Sequence, residues 1–299
     1  MNSVASIKDR LRNRSLKTGK TMQEMLVSYV IERTIYRISV SKYRENFVLK
    51  GGIFLYAFLD DDFTRITTDI DLLGNRISND IADMEKVFSD VFSIETEDPI
   101  YFDLKTLFVK SITEFKEYHG VNVSVIAFLD RTRIPVSIDI GYGDIIYPER
   151  VELDYPVILN DESPRIYAYS IYSSVAEKTE AIITLGYENS RYKDFYDLFV
   201  LAKTYDFLRY DLTEALNATF ENRHTSLGKV AAFEEDFPND VVRQSRWNSF
   251  VRKKKAMIPV TLDETISVIC RFIGSLLEDI NSKRRLEGVW SHSRQMWIR

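Results

Sequence analysis

The stretch "TRITTDIDLLG", from Thr64 to Gly74, decides how the first half of this 299-residue chain is interpreted. Its apolar and polar residues alternate, which is typical of a β-strand with one buried face. The alternation predicts a core face and an opposite face, formed respectively by Ile66, Thr68, Ile70 and Leu72 and by Arg65, Thr67, Asp69 and Asp71. Two carboxylates therefore project from the same side of an otherwise apolar strand.

A second predicted strand carries a third carboxylate. In "VSIDIG" the isoleucines lie on one face and Asp139 lies on the other. Three carboxylates on the polar faces of two strands can converge, and such a set holds two Mg²⁺ ions about 3.5–4 Å apart for in-line phosphoryl transfer. For Asp69 and Asp71 alone, a solvated strand end is the simpler alternative.

A glycine pair precedes these strands. "FVLKGG", from Phe47 to Gly52, predicts a short apolar strand that ends in a glycine turn, and "IFLYAFL" predicts a buried helix directly after it. Glycines at such a turn let backbone N–H groups approach a phosphate, and the positive end of the helix dipole attracts it. A plain tight turn is the alternative explanation of Gly51 and Gly52.

The rest of the first half mixes helices and strands. Helical spacing begins at about Thr21 and returns from Asp80 to Ser93, where five apolar residues share a side: Ile81, Met84, Val87, Phe88 and Val91. Alternation predicts further strands at Leu104 to Ile112, at Val121 to Leu129 and in "RIPVSIDIGYGD". With at least four strands, this half is predicted to be an α/β or α+β sheet domain.

The second half is predicted to be mostly helical. "SPRIYAYSIYSSVAEKTEAIITLGY" is interpreted as the start of a helix, "KDFYDLFVLAKTY" as another, and "TLDETISVICRFIGSLLEDI" as a third that opens with a capping box from Thr261 to Glu264. We place the domain boundary near residues 160–168. The prediction is therefore an α+β protein with a sheet domain at 1–165 and a helical domain at 166–299.

Composition excludes several classes of function. A net charge of −5 excludes indiscriminate coating of nucleic acid, although a local basic groove remains compatible with it. The single cysteine, Cys270, excludes an internal disulfide and a thiolate metal cluster, and its helical surroundings predict a buried, inert thiol. The three histidines are scattered, so a metal would be bound by carboxylates, which suit Mg²⁺. With no signal peptide and no apolar run of about 20 residues, we expect a cytoplasmic protein without membrane association.

Taken in order, these motifs resemble a known family. "LKGG", "TRITTDIDLL" and "VSIDI" are similar to the minimal nucleotidyltransferase core shared with polymerase β. With "VAEKTEAI" and "RYKDFYDL" added, the chain resembles the AbiEii/MenT family of bacterial nucleotidyltransferase toxins, which belong to abortive-infection toxin–antitoxin pairs used in phage defence. The matching blocks run from Phe47 to about Lys203.

The resemblance implies roles for individual residues. The metal ligands would be Asp69, Asp71 and Asp139, holding two Mg²⁺ ions, with Mn²⁺ as a substitute. The helical half would contribute Lys178, Asp194 and Asp197 as further catalytic residues. Nucleoside triphosphate would be bound by Lys50, Gly51, Gly52, Thr67, Thr68, Lys178, Arg191 and Lys193. The threonines are candidates because Ile53 stands where such enzymes often have a hydroxyl residue.

Several of these residues also have ordinary structural explanations. Lys178 could be a solvated helix lysine paired with Glu177 or Glu180. Lys193 and Asp197 form a common i,i+4 helix pair, and Asp194 could interact with the helix dipole. Arg191 could reach a phosphate or pair with Glu188.

A basic segment, "RQSRWNSFVRKKK", suggests an RNA partner. It contains no acidic residue, and its six cations are Arg243, Arg246, Arg252, Lys253, Lys254 and Lys255. Cations neutralise phosphates, while interleaved Trp247 and Phe250 could stack on bases. A solvated helix face is the alternative. The resemblance implies that the RNA is tRNA, extended at its 3′ end to block translation, and it also implies a cognate antitoxin.

Rival functions share the same residues. Nucleotide could be transferred to a protein hydroxyl instead of RNA, the site could be degenerate and only bind RNA or nucleotide, or the metal site could serve a nuclease. The leading hypothesis is a metal-dependent nucleotidyltransferase that acts on RNA as a toxin.

Overall fold

The computed structural model describes residues 3–59, 67–114, 118–253 and 258–299, without the side chains of residues 113, 114, 118, 119 and 253. The described chain divides into two compact units. The first comprises residues 3–59, 67–143 and 150–169, and the second comprises 144–149 and 170–299. Within the described residues, no helix has both the length and the apolarity that crossing a membrane requires.

The first unit is a sheet flanked by helices. Its helices are α1 (Val4–Thr18), α2 (Met22–Val40), α3 (Gly51–Phe58) and α4 (Ile81–Phe92). Its strands are β1 (Phe47–Lys50), β2 (Ile70–Gly74), β3 (Ile100–Glu114), β4 (Tyr118–Leu129), β5 (Thr132–Tyr142), β6 (Val151–Asp154) and β7 (Arg165–Ala168). The prediction of a mixed α and β fold is confirmed.

The seven strands form one mixed sheet in the order β3-β4-β5-β2-β1-β7-β6. The pairs β2–β5 and β1–β7 are parallel, and the other neighbours are antiparallel. One face forms the core, where Ile70, Leu72 and Ile138 are fully buried. Helices α2 and α4 pack against the sheet, and the rings of Phe92 and Phe102 stack at 4.7 Å. Apolar burial on this face is the main stabilising contribution to the unit.

The strand predicted from Thr64 to Gly74 is shorter in the structure. Residues 64–66 lie outside the described part of the chain, Thr67 and Thr68 are not in a strand, and β2 begins at Ile70. On one side, the neighbouring strand β1 ends at the same level, because its last residue, Lys50, is opposite Asp71 and the chain then turns into α3. The residues before Asp71 therefore have no partner residue on β1.

Two short strands at the other edge of the sheet were not predicted. Residues Arg165–Ala168 form β7, and the helix that follows begins only at Ile171, after the N-cap residue Ser170. The interpretation of "PRIYAY" as helical is therefore wrong. A four-residue strand is too short to show a clear period, and β7 is specified by its distant parallel partner β1.

Thr68, which was predicted to lie on the core face, is exposed, because it precedes the strand. Two positions in helices that were predicted to be buried are exposed as well. Ile81 is 42% exposed because it is the first residue of α4, directly after the N-cap residue Asp80, and lies outside the buried stripe. Cys270 is exposed, whereas its neighbours Ile269 and Ile273 are buried. The buried apolar side of its helix does not include Cys270, so the thiol lies on the solvent side.

Helix α2 carries a buried carboxylate. Glu32 is completely buried, its Oε2 accepts a 2.6 Å hydrogen bond from the N–H of Ile158, and Arg33 Nε lies 3.2 Å from its Oε1. Burial raises the pKa of Glu32 to about 7. This pKa exceeds the value of 4.5 that is ordinary for the unfolded chain. Between pH 4.5 and about 7, Glu32 is therefore protonated in the folded protein and ionised in the unfolded chain.

We expect Glu32 to make stability depend on pH. Stability should fall as pH rises from 4.5, the ordinary value, to about 7, by at most about 3 kcal/mol. Glu32→Gln keeps an acceptor for Ile158 but carries no charge, so it should stabilise the protein at pH above 7 and much less at low pH. Urea unfolding at both ends of this range tests this, with exposed Glu85→Gln as the control. An effect of Glu32→Gln that is equal at both ends would contradict it.

The second unit is mostly helical, as predicted. Its helices are α5 (Ile171–Leu185), α6 (Tyr192–Thr204), α7 (Arg209–Asn222), α8 (Asp236–Asn239), α9 (Val241–Lys253) and α10 (Leu262–Asn281). A small antiparallel sheet in the order β10-β9-β8 adds β8 (Phe207–Leu208), β9 (Val289–Ser291) and β10 (Met296–Ile298). Helices α5, α6, α7 and α10 pack on one another, and Thr261 caps α10 as predicted.

An ion network connects Asp144, the first residue of the segment 144–149, to the helices of this unit. Arg223 lies 2.7 Å from Asp144, 3.0 Å from Glu177 and 2.8 Å from Glu180. Burial alone would lower the pKa of Arg223, but the surrounding carboxylates, Glu177 first, outweigh it, so the pKa is raised. The guanidinium is therefore permanently charged and ties this segment to α5 and α7.

Candidate active site

A line of polar side chains crosses the sheet of the first unit. Strand register pairs Lys50 with Asp71, Asp71 with Asp139, Asp139 with Asn122, and Asn122 with Lys110. Residues directly opposite in neighbouring strands point to the same face and stand about 5 Å apart. We call these five residues the polar row. It brings two predicted carboxylates, Asp71 and Asp139, side by side.

The start of α3 closely approaches Asp71. Gly51 has φ of +67°, and a Cβ at this position would lie 2.1 Å from Asp71 Oδ2. Both the backbone conformation and the lack of space therefore require glycine here. The predicted strand, glycine turn and helix are confirmed, and Lys50, the N-cap residue of α3, has its Nζ 5.2 Å from the centre of the Tyr169 ring.

Asp139 is oriented by a residue that the sequence analysis missed. The side-chain amide of Asn122 donates to Asp139 Oδ1 at 2.6 Å and to Ser137 Oγ at 2.8 Å. This bridge fixes the rotation of the carboxylate. The signal was available, because the alternation of "VNVSVIAFL" places Asn122 on the polar face of β4.

Asp69 is not part of the polar row. It precedes β2 in a bend and is exposed, Thr67 Oγ1 donates weakly to its carbonyl at 3.5 Å, and Thr68 is exposed. Among the described residues, no group of three or more Asp, Glu, His or Cys side chains is arranged to hold a metal ion. The structure thus assembles two of the three expected ligands, both with the oxygen donors that Mg²⁺ prefers.

The second unit contains a buried ion cluster built from four predicted residues. Lys178 Nζ, on α5, lies 2.8 Å from Asp197 Oδ2 and 3.3 Å from Asp194 Oδ1, both on α6. Arg191 Nε binds the other oxygen of Asp194 at 2.7 Å. The side chains of Lys178, Asp194 and Asp197 are at most 8% exposed. Two cations and two carboxylates balance, which makes burial of the cluster tolerable.

This arrangement differs from the structural alternatives for Lys178 and Arg191, whereas Asp194 does lie in the first turn of α6, where it can interact with the helix dipole. Glu177 and Glu180, the expected partners of Lys178, bind Arg223. Arg191 pairs with Asp194 instead of Glu188. Lys193 is exposed, outside the cluster.

We expect Lys178→Met to destabilise the protein by about 3–5 kcal/mol, because it removes the cation that lies close to two buried carboxylates. Exposed Lys193→Met on the same helix as those carboxylates should change stability by less than about 0.5 kcal/mol. Chemical denaturation of both variants measures this. Equal stability of the two would show that the cluster contributes nothing to folding.

The basic segment is largely part of the fold. Arg243 donates to the carbonyls of Asn189 and Tyr187 at 3.2 and 3.0 Å. Trp247 is completely buried and donates to the carbonyl of Val260, so the expectation that it stacks on bases is wrong. Phe250 is half-buried. Both aromatic residues lie on the apolar side of α9, towards the core of the unit. Arg246 and Arg252 are exposed, whereas Lys254, Lys255 and the side chain of Lys253 lie outside the described part.

Comparison with known proteins identifies the class. The family described as nucleotidyl transferase AbiEii toxin of a type IV toxin–antitoxin system matches residues 33–266, well over half of the chain. The match includes both aspartates of the polar row and the Lys178 cluster. The chain therefore belongs to the AbiEii family of nucleotidyltransferase toxins.

Solved structures with a similar chain course include two bacterial proteins. JHP933 from Helicobacter pylori has 15% sequence identity and a TM-score of 0.48, over 88% of this chain and 94% of its own. MenT4, a nucleotidyltransferase toxin from Mycobacterium tuberculosis, has 13% identity and a TM-score of 0.48, over 93% and 99% of the two chains. No curated protein sequence matches the chain.

Proposed function

We propose that this protein transfers a nucleoside monophosphate from a nucleoside triphosphate to an RNA acceptor, the 3′ end of tRNA, with release of pyrophosphate, in a Mg²⁺-dependent reaction that stops translation. The observation that carries the proposal is the pairing of Asp71 with Asp139 on adjacent parallel strands, next to the Gly51 turn. Membership of the AbiEii family supports the reaction type.

The donor set fits a hard divalent cation. Asp71 and Asp139 would hold Mg²⁺ or Mn²⁺, with Asp69 as the further ligand of a two-ion site. A bound metal would lower the pKa of the attacking hydroxyl and stabilise charge on the transferred phosphoryl group. Asn122 fixes the carboxylate of Asp139 through Oδ1, so that this ligand is already oriented before nucleotide binds.

Nucleotide binding is assigned to the start of α3. The backbone N–H groups at Gly51 and Gly52 open a helix, where the dipole favours the negative triphosphate. Lys50 adds a positive charge in the polar row. Thr67 and Thr68 are proposed as hydroxyl contacts.

The proposal also assigns roles to residues of the helical half. We assign metal binding to the domain at 1–165 and supporting roles to the domain at 166–299. In the latter, Lys178, Asp194 and Asp197 are proposed catalytic contributors, and Arg191 and Lys193 are proposed phosphate contacts. Family membership, rather than placement, supports these assignments.

RNA binding is proposed for only part of the basic segment. Its exposed cations, Arg246 and Arg252, remain candidates together with Lys253, Lys254 and Lys255. Arg243 is proposed to act mainly by positioning α9. A cognate antitoxin and a cytoplasmic location are proposed from the family alone.

The acceptor class can be tested directly. Purified protein is incubated with Mg²⁺ and NTPs labelled at the α-phosphate, together with tRNA in one reaction and cell protein in another. The proposal expects label in tRNA that has become longer. Label found only in protein would contradict the RNA acceptor, and shortened tRNA would indicate a nuclease.

A further inference from the structure

The open face of β3 and β4 displays large aromatic side chains. Tyr101 and Phe108 on β3 are 64% and 60% exposed, and the ring of half-buried Phe128 on β4 lies 6.4 Å from that of Tyr101. We call these three residues the aromatic face. Exposed aromatic rings grouped on one sheet face are unusual and mark binding surfaces.

Strand register places the aromatic face on the same side of the sheet as the polar row. Phe108 is opposite Ser124, and two residues further along each strand Lys110 is opposite Asn122 of the polar row. Phe128 is opposite both Tyr101 and Arg133. The aromatic face is therefore continuous with the row that holds Asp139.

The distances suit an extended nucleotide chain. Along β5, Arg133 at the far end of the aromatic face and Asp139 are six residues apart, or about 20 Å. The pairing of β3 with β4 is irregular between Asp103 and Phe108, and the residues between them are not paired. Regular pairing resumes at Phe108, whose side chain again lies on the open face. An extended single strand of a few nucleotides would span this length.

The charges around the aromatic face are mainly positive. Arg133 and Lys110 are exposed at its two ends. The carboxylate of Asp103, on the same face, accepts the N–H of Lys105 at 3.1 Å. Aromatic platforms flanked by cations bind single-stranded nucleic acid, because rings stack on bases of any sequence and cations neutralise phosphates.

We propose that the aromatic face binds the unpaired 3′ nucleotides of the RNA acceptor and directs its terminal hydroxyl towards Asp139. This inference rests on the proposed function, since it specifies how the acceptor of that reaction is held. Tyr101 and Phe108 would stack on bases, and Lys110 and Arg133 would contact phosphates.

A protein is the competing occupant, because β3 is an edge strand and exposes apolar rings. Two features disfavour strand pairing there. The irregularity at residues 104–107 interrupts the ladder, and Lys105 and Lys110 place charge along the edge. Single-stranded RNA needs neither a continuous edge nor an uncharged one.

The test measures equilibrium binding by fluorescence anisotropy, without NTP, for two labelled RNA hairpins, one blunt and one with an unpaired 3′ extension. Tyr101→Ala with Phe108→Ala should weaken binding of the extended hairpin by at least about tenfold, and that of the blunt hairpin much less. The salt dependence should be unchanged, because no charge is removed. Phe108→Trp should retain binding. The matched control is Leu208→Ala with Tyr210→Ala, also exposed but in the second unit.

Three results would overturn the inference: unchanged affinity for the extended hairpin, equal losses for both hairpins, or an altered oligomeric state of the double variant in sedimentation without an effect on RNA. The proposed function is judged separately by label transfer. Transfer by a double variant with normal RNA affinity would remove only this inference. Selective loss of RNA binding in a protein that never transfers nucleotide would support the aromatic face and contradict the proposed reaction.

Discussion

Asp71→Asn is expected to lower the rate of nucleotidyl transfer on the order of 10³-fold while leaving the protein folded. The substitution removes one of the two proposed metal ligands, which are neighbours across β2 and β5. Asparagine has the same size and shape as aspartate, so the change in stability should be no more than about 1 kcal/mol. Loss of activity without loss of stability is characteristic of a residue selected for function.

Two measurements check this prediction. Transfer is followed with labelled NTP and tRNA, and stability by thermal unfolding with and without Mg²⁺. Mg²⁺ should raise the melting temperature of the wild type more than that of the variant. Asp154→Asn, an exposed strand carboxylate at the other edge of the sheet, should change neither quantity. Normal transfer by Asp71→Asn would remove Asp71 from the catalytic site.

Gly51→Ala is expected to reduce transfer to a similar extent, through position rather than charge. The new Cβ would lie 2.1 Å from Asp71 Oδ2 and 2.6 Å from its Cγ, so the carboxylate or the start of α3 must move. The backbone also has φ of +67°, which costs an alanine about 1–2 kcal/mol. We therefore expect both a loss of activity and a lower melting temperature.

A second glycine separates the two causes. Gly19 has φ of +69°, but no atom lies within 4 Å of the position that a Cβ would take, so Gly19→Ala introduces the same backbone strain without a collision. It should lower the melting temperature and leave transfer intact. If Gly19→Ala and Gly51→Ala had equal effects on transfer, the close approach of Gly51 to Asp71 would have no functional meaning.

Much of the sheet could be predicted because its signals are local. Alternation in "RIPVSIDIG" places Ile138 in the core and Asp139 opposite, as observed. Gly51 marks the turn between β1 and α3, since few other residues tolerate its φ of +67°. The helical spacing of "KDFYDLFVLAKTY" likewise predicts the buried side of α6.

What could not be predicted depends on residues distant in sequence. The four-residue strand β7 exists because β1 lies beside it. Lys178 bonds to Asp194 and Asp197 on the neighbouring helix, because α5 and α6 pack together. Trp247 lies in a basic segment whose composition suggests RNA binding, but its side chain is buried in the core of its unit. The adjacency of Asp71 and Asp139 is set by strand register, which no local motif encodes.

The most direct test of the central claim is the length and sequence of tRNA 3′ ends after incubation with the protein, Mg²⁺ and each of the four NTPs in turn. The proposed function predicts added nucleotides with at least one NTP, no addition when EDTA removes the metal, and none with Asp139→Asn. Unchanged 3′ ends with all four NTPs, or equal extension by Asp139→Asn, would contradict it.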